Sequence, residues 1–218
     1  MLPNLIIPVL NRYDLLMRCL ESIDYPVKHL LIIDNGQNYH ARPEKPKLVE
    51  KMTWLDMPAN MGVAASWNLG IKLFRHDDVW FFASNDMTFE PGALETMHET
   101  AHHGTLTLAN TFPYFHTFGL GSSVVRDIGL FDENIFPAFE EDVEYLGRIA
   151  RAGMTVTYAP IKTQHDNSST INSEMKFRDA NTITHPYNRQ YREKKEANLL
   201  PRTEVMWSLD RWRRQDWR

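Results

Sequence analysis

Short apolar runs alternate with amphipathic stretches through the first half of the chain. Leu5–Val9, His29–Ile33 and Val79–Ala83 are almost wholly apolar, as strands covered on both faces of a parallel sheet must be. Between them, apolar residues recur at helical spacing over Tyr13–Asp24, Ala64–Phe74 and Pro91–Ala101, and a short strand is expected near Trp54. This alternation predicts an α/β fold: a single Rossmann-like domain with a mostly parallel central sheet and helices on both faces. Further on, Val143, Leu146, Ile149 and Ala150 keep helical spacing behind Glu140-Glu141-Asp142, and Met154–Pro160 reads as another strand. The segment Gln164–Tyr191, rich in Asn, Ser and Thr, has no firm period. It is expected to be a long loop acting as a lid over the site.

Where the apolar runs stop, polar side chains begin. The run ending at Ala83 opens onto Ser84-Asn85-Asp86, the first run onto Asn11-Arg12, and the second onto Asp34-Asn35-Gly36. Ligands of open α/β sheets bind outside the carboxyl ends of the strands. A carboxylate there, with amide and hydroxyl neighbours, suits a hard cation such as Mg²⁺ or Mn²⁺ holding a diphosphate. Ser, Asn and Asp are equally the ordinary residues of turns. Between the runs, Asn60-Met-Gly-Val-Ala-Ala-Ser-Trp-Asn68-Leu-Gly70 sets small residues around a helix start, where backbones can approach closely.

Taken together, IIPVLNR, IIDNG, NMGVAASWNLG, SND and GLFDENIFPAFEEDVEYLGRIARAGMTVTYAP resemble, in order and spacing, the nucleotide-sugar-dependent glycosyltransferases of family 2, which have the A-type fold. The resemblance runs from Asn4 to His165, about three quarters of the chain. It implies that Pro8, Val9, Asn11 and Asp34 line the pocket for the donor's uracil and ribose, and that Asn60, Gly62 and Asn68 belong to the family's Asn-x-Gly segment. It also implies that Ser84, Asn85 and Asp86 stand where the family has Asp-x-Asp, with Asp86 and His165 on a divalent cation. Ser84 departs from the family in place of the first acid, so the motif's charge rests on Asp86. The Gln-x-x-Arg-Trp signature of processive synthases is missing too, since Ser208-Leu-Asp-Arg211-Trp212 has Ser where Gln should be. That departure implies a single addition.

Glycosyl transfer to a hydroxyl needs a base on the acceptor, stabilisation of the leaving diphosphate, and a site that holds both in line. Glu140-Glu141-Asp142 opens a helix, whose macrodipole favours ionised carboxylates. By resemblance Asp142 is the base and Glu141 the alternative, although acidic residues also stabilise first turns. Arg12, Arg126 and Arg148 are candidate phosphate contacts. Gly121 and Ser122, in Gly119-Leu-Gly-Ser-Ser123, are candidates for the donor sugar; a kinked strand is the other reading. Trp67, Tyr114, Phe115, Phe136 and Phe139 are candidates for stacking on a sugar face or for the core. His102-His103 read as surface, and no Cys or His cluster has zinc spacing.

The chain of 218 residues has room for one sizeable core. The expected division is a transferase domain over 1–165, with a donor half to about 110 and an acceptor half after it, then a lid and basic helix over 166–218. No apolar run approaches the ~20 residues that span a bilayer, and the amino terminus lacks a signal-peptide pattern. Cys19, on the apolar side of the first helix, reads as a buried hydrophobe without a disulfide. The cytoplasm is the expected compartment. Asn188–Arg218 holds nine Lys/Arg against five Asp/Glu, a net +4 that leaves −8 on the first 187 residues of a total of −4. The same segment carries Trp207, Trp212 and Trp217, with Val205, Leu209 and Trp212 at helical spacing. Such a helix can dock on the domain, lie on an anionic membrane, or contact nucleic acid.

The residues therefore predict a metal-dependent, non-processive glycosyltransferase, inverting by resemblance. Its donor is a nucleoside diphosphate sugar, UDP-linked, and its acceptor a hydroxyl on a glycan, a lipid-linked sugar or a modified nucleic-acid base. Nucleotidyl transfer wants a glycine-rich loop after the first strand, and Pro8-Val9-Leu10-Asn11-Arg12 has no glycine. A dinucleotide oxidoreductase wants Gly-x-Gly-x-x-Gly, which follows none of the strands. A nucleotide-sugar-binding module with a degenerate metal site is the non-enzymatic alternative, and Ser84 is its argument.

Overall fold

A computed structural model of the chain describes residues 1–110, 114–166, 169–200 and Leu209. Its centre is a seven-stranded sheet. Strands β1 (Leu5–Val9), β2 (Val27–Asp34), β3 (Val49–Asp56) and β4 (Val79–Ala83) are joined by helices α1 (Tyr13–Glu21) and α2 (Val63–Leu73). Then come β5 (Met87–Phe89), α3 (Ala93–Thr100), β6 (Leu106–Ala109), β7 (Thr117–Gly121), α4 (Ser122–Ile128), α5 (Glu141–Arg151), β8 (Val156–Ala159) and β9 (Thr163–His165). Two helices, α6 (Ser169–Ser173) and α7 (Met175–Glu196), follow. The strand order is β3-β2-β1-β4-β7-β6-β8, parallel except that β7 runs antiparallel to both its neighbours. A separate two-stranded ribbon pairs β5 with β9.

The apolar runs face both ways. Leu5, Ile7 and Val9, Leu30 and Ile32, and Phe81 and Ala83 pack on one side with α1 and α3. Ile6, Leu31, Ile33, Trp80 and Phe82 pack on the other with α2, α4 and α5. That period of two is what a doubly covered strand requires. At the β1–β4 junction the ladder is short, with Ile6 opposite Phe82. Buried Asn4 reinforces it by donating to Val79 O and accepting from Phe81 N at 2.9 Å each. Cys19 is buried and free, and burial pushes its thiol up to about 12.

Gln164–Tyr191 is not a loop: it holds the end of β9, all of α6 and most of α7. Its helix escaped an apolar-period reading because, among its described side chains, α7 buries only Asn188. What holds it is ionic and polar, as described below. Of the expected basic terminal helix, Leu209 is described, buried within the α2/α4/α5 cluster; Val205, Trp207, Arg211, Trp212 and Trp217 lie outside the described residues. No helix among the described residues is long and apolar enough to cross a membrane.

Candidate functional site

Because β1, β2 and β4 are parallel, their carboxyl ends share one edge of the sheet. A cleft of about 910 Å³ opens there. Pro8, Val9, Asn35, Ser84, Asn85 and Asp86 form its floor, and Asn60, Gly62, Val63 and Trp67 come from the α2 entry. Tyr114–His116 and 136–143 form a wall opposite, and α7 adds another through Lys176, Phe177, Ala180, Asn181, Thr184 and His185. Gly62 has φ +80°, and a Cβ there would sit 2.9 Å from both the Phe136 ring and Pro137 O. Only glycine allows that approach between α2 and the 136–139 segment. A smaller recess of about 580 Å³ adjoins, lined by Asn11, Arg12, Gly36 and Asn38 and sharing Leu10, Asn35, Lys176 and Phe177 with the cleft.

Asp86 sits at the turn from β4 into β5 and is buried. His165 Nε2 donates to its Oδ1 at 3.0 Å and Ser169 Oγ to its Oδ2 at 2.6 Å. Burial works to raise its pKa, but those two hydrogen bonds outweigh it and hold the carboxyl below its ordinary value. The partner histidine is placed by the β5–β9 ribbon, which sets Met87 opposite His165. Its ring stacks on His116 with centroids 5.3 Å apart. His165 Nδ1 is buried without a hydrogen-bond partner among the described residues. Asn85 donates to the carbonyls of Asn11 and Arg12 at 3.3 and 3.4 Å, tying the β4 exit to the β1 exit.

Across the cleft, α5 begins at Glu141 after two residues at positive φ, Phe139 (69°) and Glu140 (79°). At this helix start burial opposes the macrodipole's preference for ionised carboxyls. Burial, and then the neighbouring Asp142, push Glu141 up to about 8. Burial raises Asp142 as well. Desolvation of this depth exceeds the ~0.3–1 kcal/mol a helix dipole supplies at an exposed site. Glu141 Oε2 is buried and unpartnered among the described residues. Glu140 differs: burial raises it, but Arg192, Arg189 and His185 on α7 hold it below its ordinary value.

Several expected site residues are engaged by the fold or lie outside the cleft. Asp34 is fully buried and lines neither cavity. It accepts from the Tyr13 hydroxyl, from Gly36 N and Gln37 N at 3.0 and 2.8 Å, and from Arg42 Nη2 at 2.7 Å. Asn68 is also interior, exchanging hydrogen bonds of 2.9 Å with the Phe131 backbone. Gly121 and Ser122 are at the wrong edge of the sheet, since β7 is antiparallel and its last residue pairs with Val79, the first of β4. Asn11 and Arg12 line the recess; Asn11 Nδ2 donates to Ser173 Oγ at 2.8 Å, and Arg12 pairs with Asp14 at 2.7 Å. Arg148 is taken up by Glu144 and by the carbonyls of Ile128 and Leu130, and Arg126 pairs with Asp127. Trp67 is core, 4.9 Å from the Phe131 ring centroid, whereas Tyr114 and Phe136 stay exposed at the cleft. His102 and His103 are exposed, as expected.

Three contributors escaped the sequence reading: Ser169 on Asp86, His116 on His165, and the basic side chains of α7. Only the last left a signal. His185, Arg189 and Arg192 fall at i, i+4 and i+7, one face of a helix.

The model of "Glycosyl transferase family 2" matches residues 4–144. The chain is 21% identical to a protein named galactofuranosyl glycosyltransferase from Leishmania donovani, over 78% of this chain and 58% of that one. It thus spans under two thirds of that relative's length. Among solved structures, GalNAc-T7 with UDP, GalNAc and Mn²⁺ superposes with a TM-score of 0.60 at 12% identity, over 76% of this chain and 44% of the other. S. aureus TarS superposes with a TM-score of 0.52 at 14% identity, over 72% and 35%. These likenesses concern the fold. With its family's model matched over most of its length, the chain belongs to glycosyl transferase family 2.

Proposed function

We propose that the cleft binds a nucleoside diphosphate sugar, UDP-linked, and passes its glycosyl group to an acceptor hydroxyl in one inverting displacement. The observation that carries this reading is a pairing within one cleft: a carboxyl held ionised, Asp86, faces a carboxyl pair whose basicity burial has raised, Glu141 and Asp142. Donor and acceptor chemistry need those two characters side by side.

Pro8, Val9, Asn11 and Arg12 at the β1 exit, with Asn60, Gly62, Ser84 and Asn85, receive the nucleotide and its diphosphate. Asp86 and His165 fit a divalent cation, Mn²⁺ or Mg²⁺, with the imidazole as the ligand and the carboxylate as the group that orients it. A carboxylate oriented against an imidazole N–H leaves the other ring nitrogen free as a ligand, and His165 Nδ1 is the orphaned atom. No group of three or more His, Cys, Asp or Glu capable of holding a metal occurs among the described residues, so substrate phosphates complete the shell, as is common for Mg²⁺. Such an ion, when bound, neutralises charge on the departing diphosphate. Asp142 takes the acceptor proton, and Glu141 orients it or the acceptor. The UDP and Mn²⁺ of the GalNAc-T7 structure and the name of the Leishmania relative support a UDP-hexose donor. Residues 1–110 act as the donor half, and 111–165 with the α7 wall as the acceptor half, adding one sugar per encounter.

The test is release of UDP from UDP-glucose, UDP-galactose, UDP-galactofuranose, UDP-N-acetylglucosamine and UDP-N-acetylgalactosamine, with and without Mn²⁺. At least one donor turns over, faster with the metal, and Asp142→Asn slows it by ~10²–10⁴. A protein that neither binds nor cleaves any of them overturns the reading.

A further inference from the structure

We infer that Glu140 is a positioning residue, the anchor by which α7 holds the Glu141–Asp142 pair in place; this rests on the function proposed above. Glu140 is buried, 7% exposed, and both its oxygens are engaged by α7. His185 Nε2 and Arg189 Nε approach Oε1 at 3.1 and 3.2 Å, and Arg192 Nε donates to Oε2 at 2.7 Å. The backbone beside it is tethered as well, Asn188 Nδ2 donating to Ala138 O at 3.0 Å and Phe139 O at 3.2 Å.

Those bonds act on a segment that would not keep its shape unaided. Phe139 and Glu140 sit consecutively in the left-handed region, where residues bearing a side chain persist only if their surroundings over-determine them. The Glu140 carbonyl then accepts from Glu144 N at 2.9 Å, a hydrogen bond of the first turn of α5. Glu141 and Asp142 leave the backbone directly after the strained pair, so their direction is set by torsions that α7 enforces. A carboxylate that only stabilised the fold would not need three hydrogen-bonding partners on one face of a helix whose other residues wall the same cleft. Displacement of reacting groups by about 1 Å costs on the order of 10² in rate.

Glu140→Gln keeps the shape and removes the charge. Two readouts are taken on the full chain. The first needs no substrate: amide hydrogen exchange over 139–146 rises at least tenfold in Glu140→Gln, and unchanged exchange overturns the inference. The second is UDP release into water from whichever of the five UDP-sugars the wild type cleaves with Mn²⁺. There kcat falls ten- to a hundredfold while donor KM stays within twofold, and Arg192→Lys retains most of the rate that Arg192→Met loses. The double variant Glu140→Gln/Arg192→Met is no slower than the worse single one, because both remove one constraint. A folded Glu140→Gln protein with wild-type kcat overturns the inference. If that variant does not fold, Arg189→Met decides, since Arg189 is 57% exposed and its loss leaves the core intact; reduced kcat at unchanged donor KM supports the anchor, and unchanged kcat overturns it. A wild type that cleaves no donor counts against the proposed function alone, with exchange still deciding the anchor.

Discussion

Asp86 and Glu141 share one cleft, but their surroundings pull their protonation in opposite directions. Asp86 is buried with a ring N–H and a hydroxyl on its two oxygens; Glu141 is buried with one oxygen unpartnered and a second carboxyl beside it. The consequence for stability has a definite sign. Glu141 rises from its unfolded value to about 8 in the folded protein. Between the two values the unfolded chain gives up a proton that the folded one retains, so folding free energy declines as pH climbs from about 4.5 to 8 and then levels off. Glu141→Gln removes that decline. Thermal unfolding of both proteins at pH 5 and pH 8 is predicted to show the variant gaining on the wild type at pH 8; a gap independent of pH would contradict the burial described for Glu141. At this scale the sequence was legible where a strand exit carries one unshared acid, as with Asp86. It was less so at Asp34, where identity gives no hint that Tyr13, Gly36, Gln37 and Arg42 consume the carboxylate.

The elements divide by what holds them. β1 and β4 could be bounded to the residue, because strands buried on both faces must be apolar throughout. The helix α7 could not, because its docking is ionic: Lys195 lies 2.7 Å from Asp132 and 2.9 Å from Glu144, and Arg192 binds Glu140. Charges on a polar helix read equally as a solvated face, and only the fold supplies their partners. Likewise the direction of β7, which carries Gly121 and Ser122 away from the cleft, depends on a pairing remote in sequence. Asp132 and Glu144 are nearly inaccessible, 5% and 1% exposed as side chains. Lys195→Met therefore leaves two buried carboxylates short of a cation and is predicted to cost ~3 kcal/mol or more, read from urea unfolding. A loss under ~0.5 kcal/mol, typical of exposed pairs, would show that α7 is not docked this way.

For the whole molecule, the acidic first part and basic last part suggested a segregated tail, and the structure docks that segment on the domain, through Arg192 and Lys195 of α7 and again further on. Leu209 is 1% exposed among α2, α4 and α5 side chains. Leu209→Ala is predicted to cost ~2–5 kcal/mol, as core Leu truncations do; an unchanged urea midpoint would mean that the segment is not part of the packing. The cleft itself draws on residues from Pro8 to His185. Its floor comes from the parallel strand exits, its far wall from the α5 entry, and its third side from α7, so the cleft takes shape only when these parts of the chain are folded together.

In the proposed function Asp86, with His165, recruits a divalent cation to a nucleotide diphosphate in this cleft. Titration calorimetry of UDP into wild type and Asp86→Asn, each with Mn²⁺ and with chelator, decides whether it does. Mn²⁺ is predicted to tighten UDP binding to the wild type at least tenfold, about 1.4 kcal/mol, and to leave the Asp86→Asn protein unaffected. The same Mn²⁺ dependence in both proteins would contradict it.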